Sequence, residues 1–183
     1  MPPARAGRAV GCLVGLRPRP AAAAVLVPVV ERGGAAKLIL TRRAARLLHH
    51  PGQVAFPGGK QEPVDASALD AALREAEEEI GLPRAQVDVL GTFARHETVT
   101  GFTVTPFVGQ VDPAFAPAPD RNEVDEVFEV PLGFALDPAN LQVHRRRWNG
   151  AWRQYYAIPY GPHYIWGATA RMLKALSDRI RAP

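Results

Sequence analysis

Cysteine is nearly absent from this 183-residue chain. Cys12 stands alone, which excludes an intramolecular disulfide and makes a reducing, cytoplasmic setting the expectation. Long apolar runs are missing too. No segment reaches the roughly 18–20 apolar residues that a membrane helix requires. The longest candidate, Ala21–Val30, is interrupted by Pro28 and reads as a strand. No apolar stretch precedes Ala9-Val10-Gly11-Cys12, so no lipoprotein signal is expected, and Arg181-Ala182-Pro183 is not a peroxisomal address. Neither an internal repeat nor a linker to a second domain is visible. The length suits one domain with a substantial core, and 47% hydrophobic content with 22% charged residues excludes wholesale disorder.

The chain has a surplus of positive charge, +4 at pH 7, with a pI near 9.6. That favours an anionic partner. The basic residues are dispersed, and Arg145-Arg146-Arg147 is the only compact run, placed ahead of an Asn149-Gly150 turn. A solvated strand end explains that run as well as a nucleic-acid patch does. Charge does not separate nucleic acid from a small polyanion.

One stretch is more specific. Phe56-Pro57-Gly58-Gly59-Lys60 leads into a segment that crowds Glu75, Glu77, Glu78 and Glu79 into five positions. The run Ala68–Ile80 reads as a helix, with Asp65 or Ser67 as N-cap and Gly81 followed by Pro83 as the stop. Leu69, Leu73, Ala76 and Ile80 form its apolar stripe. Glu75, Glu78 and Glu79 share a flank, where like charges three or four apart repel. A solvated acidic face is the plain reading. A hard divalent cation would turn the repulsion into attraction, since Mg²⁺ and Mn²⁺ prefer carboxylate and water oxygens. The adjacent glycines allow backbone N–H groups to approach a phosphate beside such a cation.

Arg74 to Leu82 resembles the closing part of the Nudix box, Arg-Glu-aliphatic-any-Glu-Glu-any-Gly-aliphatic, the signature of hydrolases of nucleoside diphosphates linked to another group. Upstream, Gly59 and Asp65 each fall one residue before the family's glycine and glutamate, as a one-residue insertion produces. A second motif is similar to the extra signature of the coenzyme A pyrophosphatase branch. Ile39, Leu40, Thr41, Arg43 and Ala44 fit its strand, and Gly52, Phe56, Pro57, Gly58 and Gly59 fit its loop. Leu48 stands where that pattern has an arginine; the departure bears on one basic contact to substrate, for which Arg46, two positions away, is the alternative, and not on the metal chemistry.

The resemblance implies a Nudix-type α/β/α sandwich around a mixed β-sheet over residues 21–183, preceded by an irregular arm over 1–20. It also implies hydrolysis of coenzyme A or acyl-coenzyme A to 3′,5′-ADP and 4′-phosphopantetheine with Mg²⁺ or Mn²⁺. Glu75 and Glu79 become the principal metal ligands, with Glu78 an additional one. Arg74 orients a glutamate, Arg43 faces the substrate, and Gly58 and Gly59 give close backbone approach. Glu97, Glu123, Glu126 and Glu75 are all candidates for the general base. A homodimer is the family's suggestion. Two alternatives stay open: a Nudix hydrolase for ADP-ribose, NADH or an oxidised nucleotide, and a non-catalytic nucleotide or RNA binder.

The remaining chain reads as strands over Ala22–Val30, Lys37–Thr41, Val87–Ala94, Phe102–Val108 and Val124–Val130. A short helix is expected over Pro131–Leu136, a hairpin about Asn149-Gly150 and a closing amphipathic helix over His163–Arg181. Trp148, Trp152 and Trp166 are expected as core or interface anchors.

Overall fold

The computed structural model describes residues 20–148 and 150–182. The expected N-terminal arm and Cys12 therefore lie outside the described residues, apart from Pro20. Strand β1 (Ala21–Arg32) turns at Gly33-Gly34 into β2 (Ala35–Arg43), and both glycines hold positive φ. Two short strands follow, β3 (Val54–Ala55) and β4 (Gly58–Lys60), and then helix α1 (Ala68–Ile80). Beyond it lie β5 (Val87–Thr92), β6 (His96–Glu97), β7 (Phe102–Val111) and β8 (Val124–Pro131). The short helix α2 (Leu132–Ala135) precedes β9 (Gln142–Trp148), β10 (Ala151–Tyr160), β11 (His163–Trp166) and helix α3 (Ala168–Arg181).

The main sheet runs β3-β2-β1-β7-β5, with β8 paired to β2, β4 to β1 and β6 to β7. It is mixed because β1 and β7 run parallel over ten residue pairs, Ala21↔Phe102 to Val30↔Val111, while the other ladders are antiparallel. Strand alternation divides its side chains between two cores. Leu26, Val30 and Ile39 meet Leu73, Ala76 and Ile80 of α1 on one face. Val27, Leu38 and Leu40 meet Met172, Leu173 and Leu176 of α3 on the other. The second face also carries a small sheet, β11-β10-β9, through Ile158 and Ile165. The result is the expected α/β layering around a mixed sheet.

Two expectations need correction. His163–Arg181 is not one helix: its first four residues pair with β10 as β11, and Gly167 (φ 66°) starts α3. Ile165 fits a helical stripe equally well, but pairing with Ile158 claims it for the sheet. Trp152 is not a core anchor, being 71% exposed. The expected hairpin is present as the β9–β10 ladder, with Asn149 outside the described residues.

Candidate active site

Helix α1 is held at both ends by its own sequence. Ser67, not Asp65, is the N-cap: its Oγ accepts from the Asp70 N–H at 3.1 Å. At the other end Gly81 takes the left-handed conformation, and its N–H donates to the Glu77 carbonyl while that of Leu82 donates to Ala76. This pins the rotation of the helix. The buried stripe of Leu73, Ala76 and Ile80 then carries Glu79 under the sheet edge with it, leaving Glu79 3% exposed.

Glu79 meets the glycine loop there. Its Oε2 accepts from the Gly58 N–H at 3.2 Å, and its Oε1 lies 3.6 Å from Arg43 Nη1 at the end of β2. Gly58 sits at φ 153° against the backbone of Ala24 and Val25, where a side chain has no space. Gly59 faces Glu75, and a Cβ at Gly59 would stand 2.5 Å from the Glu75 carboxyl carbon. Arg43, Gly58 and Gly59 from one motif and Glu75 and Glu79 from the other are therefore brought together.

Arg74 organises the outer half of the site. Its Nε and Nη2 donate to the two Asp65 oxygens at 2.9 and 3.1 Å, and Nη1 donates to Glu75 at 3.1 Å and Glu78 at 2.9 Å. Asp65, the acid displaced by the insertion, is thus the anchor for Arg74, a pairing that its position in the sequence hints at but does not reveal. The guanidinium holds the Asp65 carboxyl below its usual range. Glu78 points outward, with its side chain 58% exposed.

Burial works the other way inside the pocket. It pushes Glu79 up to about 8, against the opposing pull of the Gly58 N–H and Arg43, and the negative charges of Glu75 and Glu123 push the same way. Glu75 is also raised, first by burial, with Arg74 opposing. Among the general-base candidates, Glu123 is near enough to act electrostatically on both. Glu126 instead accepts from Arg42 at 3.0 Å and approaches His163 Nε2 at 3.6 Å. Glu97 lies exposed on β6, paired with Thr103.

Among the described residues, no three His, Cys, Asp or Glu side chains form a ready-made metal cage. Mg²⁺ keeps several waters and usually binds through only one or two protein carboxylates plus phosphate oxygens. The donor set fits such an ion: hard carboxylate oxygens of Glu75 and Glu79, with Gly59 leaving open the space beside Glu75 that a Cβ would fill.

The NUDIX domain family matches residues 19–151. An uncharacterized Nudix hydrolase NudL of Cronobacter sakazakii is 45% identical over 161 residues, covering 86% of this chain and 82% of that protein. Its counterpart in Salmonella newport is 44% identical with the same coverage. Among solved structures, the Nudix hydrolase RenU of M. smegmatis matches with a TM-score of 0.52 and 29% identity, over 61% of this chain and 71% of that one. An Ap4A hydrolase from C. elegans shares the fold, with a TM-score of 0.53 at 19% identity over 60% of this chain and 80% of its own. With the family match spanning most of the chain and including Arg43, Gly58, Gly59, Arg74, Glu75 and Glu79, the chain belongs to the Nudix family and is a pyrophosphohydrolase.

Proposed function

We propose that the chain hydrolyses the diphosphate of coenzyme A or acyl-coenzyme A, releasing 3′,5′-ADP and (acyl-)4′-phosphopantetheine, in the cytoplasm. One observation carries this reading. The coenzyme A-type motif and the Nudix helix converge on the same carboxylates, through Arg43 and Gly58 on Glu79 and Gly59 on Glu75.

In this reading Glu75 and Glu79 hold Mg²⁺ or Mn²⁺, and Glu78 is an additional ligand once released from Arg74. The ion would supply charge screening at the phosphates and a bound water of lowered pKa. Arg74 is a positioning residue, holding Glu75 at the site through its grip on Asp65 while it pairs with the outward-turned Glu78. Gly58 lets the loop pack against β1 so that its N–H reaches Glu79, and Gly59 keeps side-chain bulk away from the Glu75 carboxylate. Arg43 fixes Glu79 and adds positive charge beside the diphosphate. Glu123 is the carboxylate placed to accept the proton of the attacking water, as the water–phosphorus bond forms and the bridging oxygen leaves with the other phosphate.

A second reading, another nucleoside diphosphate derivative, draws on Leu48. It is 95% exposed and replaces the expected arginine. Incubating the protein with Mg²⁺ and, separately, coenzyme A, an acyl-coenzyme A, ADP-ribose and NADH distinguishes the two. Chromatographic appearance of 3′,5′-ADP from coenzyme A is the expected result. Intact coenzyme A alongside cleaved ADP-ribose or NADH would overturn the assignment.

A further inference from the structure

The positive charge of this chain is segregated. Residues 138–177 contain six Lys and Arg and no Asp or Glu, so the remainder holds 16 basic against 18 acidic residues. Most of the segregated charge lies on the β9–β10 ribbon, where residues 145–147 and 151–154 are all exposed. An isolated two-stranded ribbon is marginal in water, yet this one is stiffened at its base. His144 packs edge-on to Tyr155 at 5.7 Å and shares a 2.9 Å hydrogen bond with the Tyr164 hydroxyl, and Tyr155 meets Trp166.

Beyond that base, the register sets Trp152 opposite Arg147 and Gln154 opposite Arg145 on one face. A concavity of about 680 Å³ is lined by Arg145, Trp152 and Gln154 together with Arg153, which the register sets opposite Arg146. Turned with its amide oxygen inward, Gln154 accepts from Nε and Nη2 of Arg145 at 3.3 Å. Arg145 and Arg153 have no carboxylate partner among the described residues. The indole of Trp152 is open to solvent.

We propose that this concavity is a nucleotide site separate from the catalytic carboxylates, taking a nucleoside phosphate with its base on Trp152 and its phosphate on Arg145 and Arg153. An aromatic face stacks any base, and guanidinium forks match phosphate oxygens. Gln154 positions the Arg145 fork. The volume is that of a small-molecule site, within the usual range of about 300–1,000 Å³. A single open aromatic, rather than a row, fits a mononucleotide better than a nucleic-acid strand, which stacks successive bases.

Calorimetric titration of the full chain in EDTA tests this whether or not coenzyme A is the substrate. The probes are adenosine 3′,5′-bisphosphate, adenosine, inorganic phosphate and an oligoadenylate. The bisphosphate should bind, with adenosine and phosphate each at least about tenfold weaker, roughly 1.4 kcal/mol. Arg145→Ala and Arg153→Ala should each weaken it by about tenfold or more, while Trp152→Phe stays within about threefold. Glu79→Gln should bind like the wild type. Absence of binding, indifference to both arginines, or loss in Glu79→Gln would overturn the site. Binding of oligoadenylate without the bisphosphate would overturn it in favour of a nucleic-acid surface. Circular dichroism confirms that the exposed-ribbon variants are folded.

Discussion

Glu79 and Trp152 mark opposite treatments of a functional side chain. Glu79 is a carboxylate 3% exposed, fixed by a glycine N–H and an arginine near the end of helix α1. Trp152 is an indole 71% exposed, on a ribbon without a core behind it. The first arrangement concentrates repulsion: burial raises both Glu75 and Glu79, Glu75 adds to the effect on Glu79, and the exposed Glu123 adds to it on both. The second leaves Arg145 and Arg153 without a carboxylate partner among the described residues, which costs little in water. Packing makes the pocket rigid and electrostatically unfinished without a cation. Exposure makes the ribbon inexpensive to fold and free to accept an anion. The predictions below break one side of this contrast at a time.

The largest effect belongs to Glu79. Glu79→Gln keeps the shape and an acceptor for the Gly58 N–H but removes the buried charge. Its kcat for the cleaved substrate should fall by about 10²–10³-fold, the scale for losing one preorganised electrostatic group. Next comes Gly59→Ala. Its added methyl displaces the Glu75 carboxylate, and such a displacement should lower kcat by about 10²-fold with little loss of fold. Steady-state kinetics with circular dichroism on each variant checks both.

A thermodynamic signature is smaller and has a definite sign. In the metal-free protein Glu79 titrates at about 8, against an ordinary value of 4.5. Between those pH values the folded chain binds a proton that the unfolded chain has released, so stability falls as pH rises through the window. Below 4.5 both states are protonated and the penalty vanishes. Metal-free Glu79→Gln should therefore melt above the wild type at pH 8.5 and level with it at pH 4.5. The shift should be about 2–4 °C for each kcal/mol relieved. Saturating Mg²⁺ should raise the wild-type Tm more at pH 8.5 than at pH 6. Differential scanning fluorimetry over that range measures both.

The smallest effect is on the ribbon. Arg145→Ala and Trp152→Ala should each change stability by less than about 0.5 kcal/mol, as exposed positions do. Chemical denaturation checks this. A larger loss would mean that the ribbon is part of the folded core's support.

Much of the pocket was legible because local chemistry specifies it. Ser67 and Gly81 bracket the helix, and the glycine pair is placed where only a missing Cβ leaves room for Glu75. Strands β1 and β2 were legible from their apolar runs, which bury Leu26, Val27, Val30, Leu38, Ile39 and Leu40, whereas the sandwich around a mixed sheet was expected from the family resemblance. What escaped depended on partners distant in sequence. Pairing of Ile165 with Ile158 makes β11 a strand, and Asp65 serves Arg74 instead of capping the helix. The three glutamates looked equivalent on a helical wheel. Only packing separates buried Glu79 from Glu78, which is turned out to Arg74. The same applies to the base candidates: Glu123 acts electrostatically on Glu75 and Glu79, Glu126 pairs with Arg42, and Glu97 pairs with Thr103 on β7.

Binding of Mn²⁺, followed by electron paramagnetic resonance in titrations of the wild type, Glu79→Gln and Glu97→Gln, tests most directly whether the buried carboxylates are the metal site. The account predicts that Glu79→Gln weakens Mn²⁺ by about tenfold or more, 1.4 kcal/mol or above, while Glu97→Gln binds as the wild type does. Equal Mn²⁺ affinity in Glu79→Gln and the wild type would contradict it.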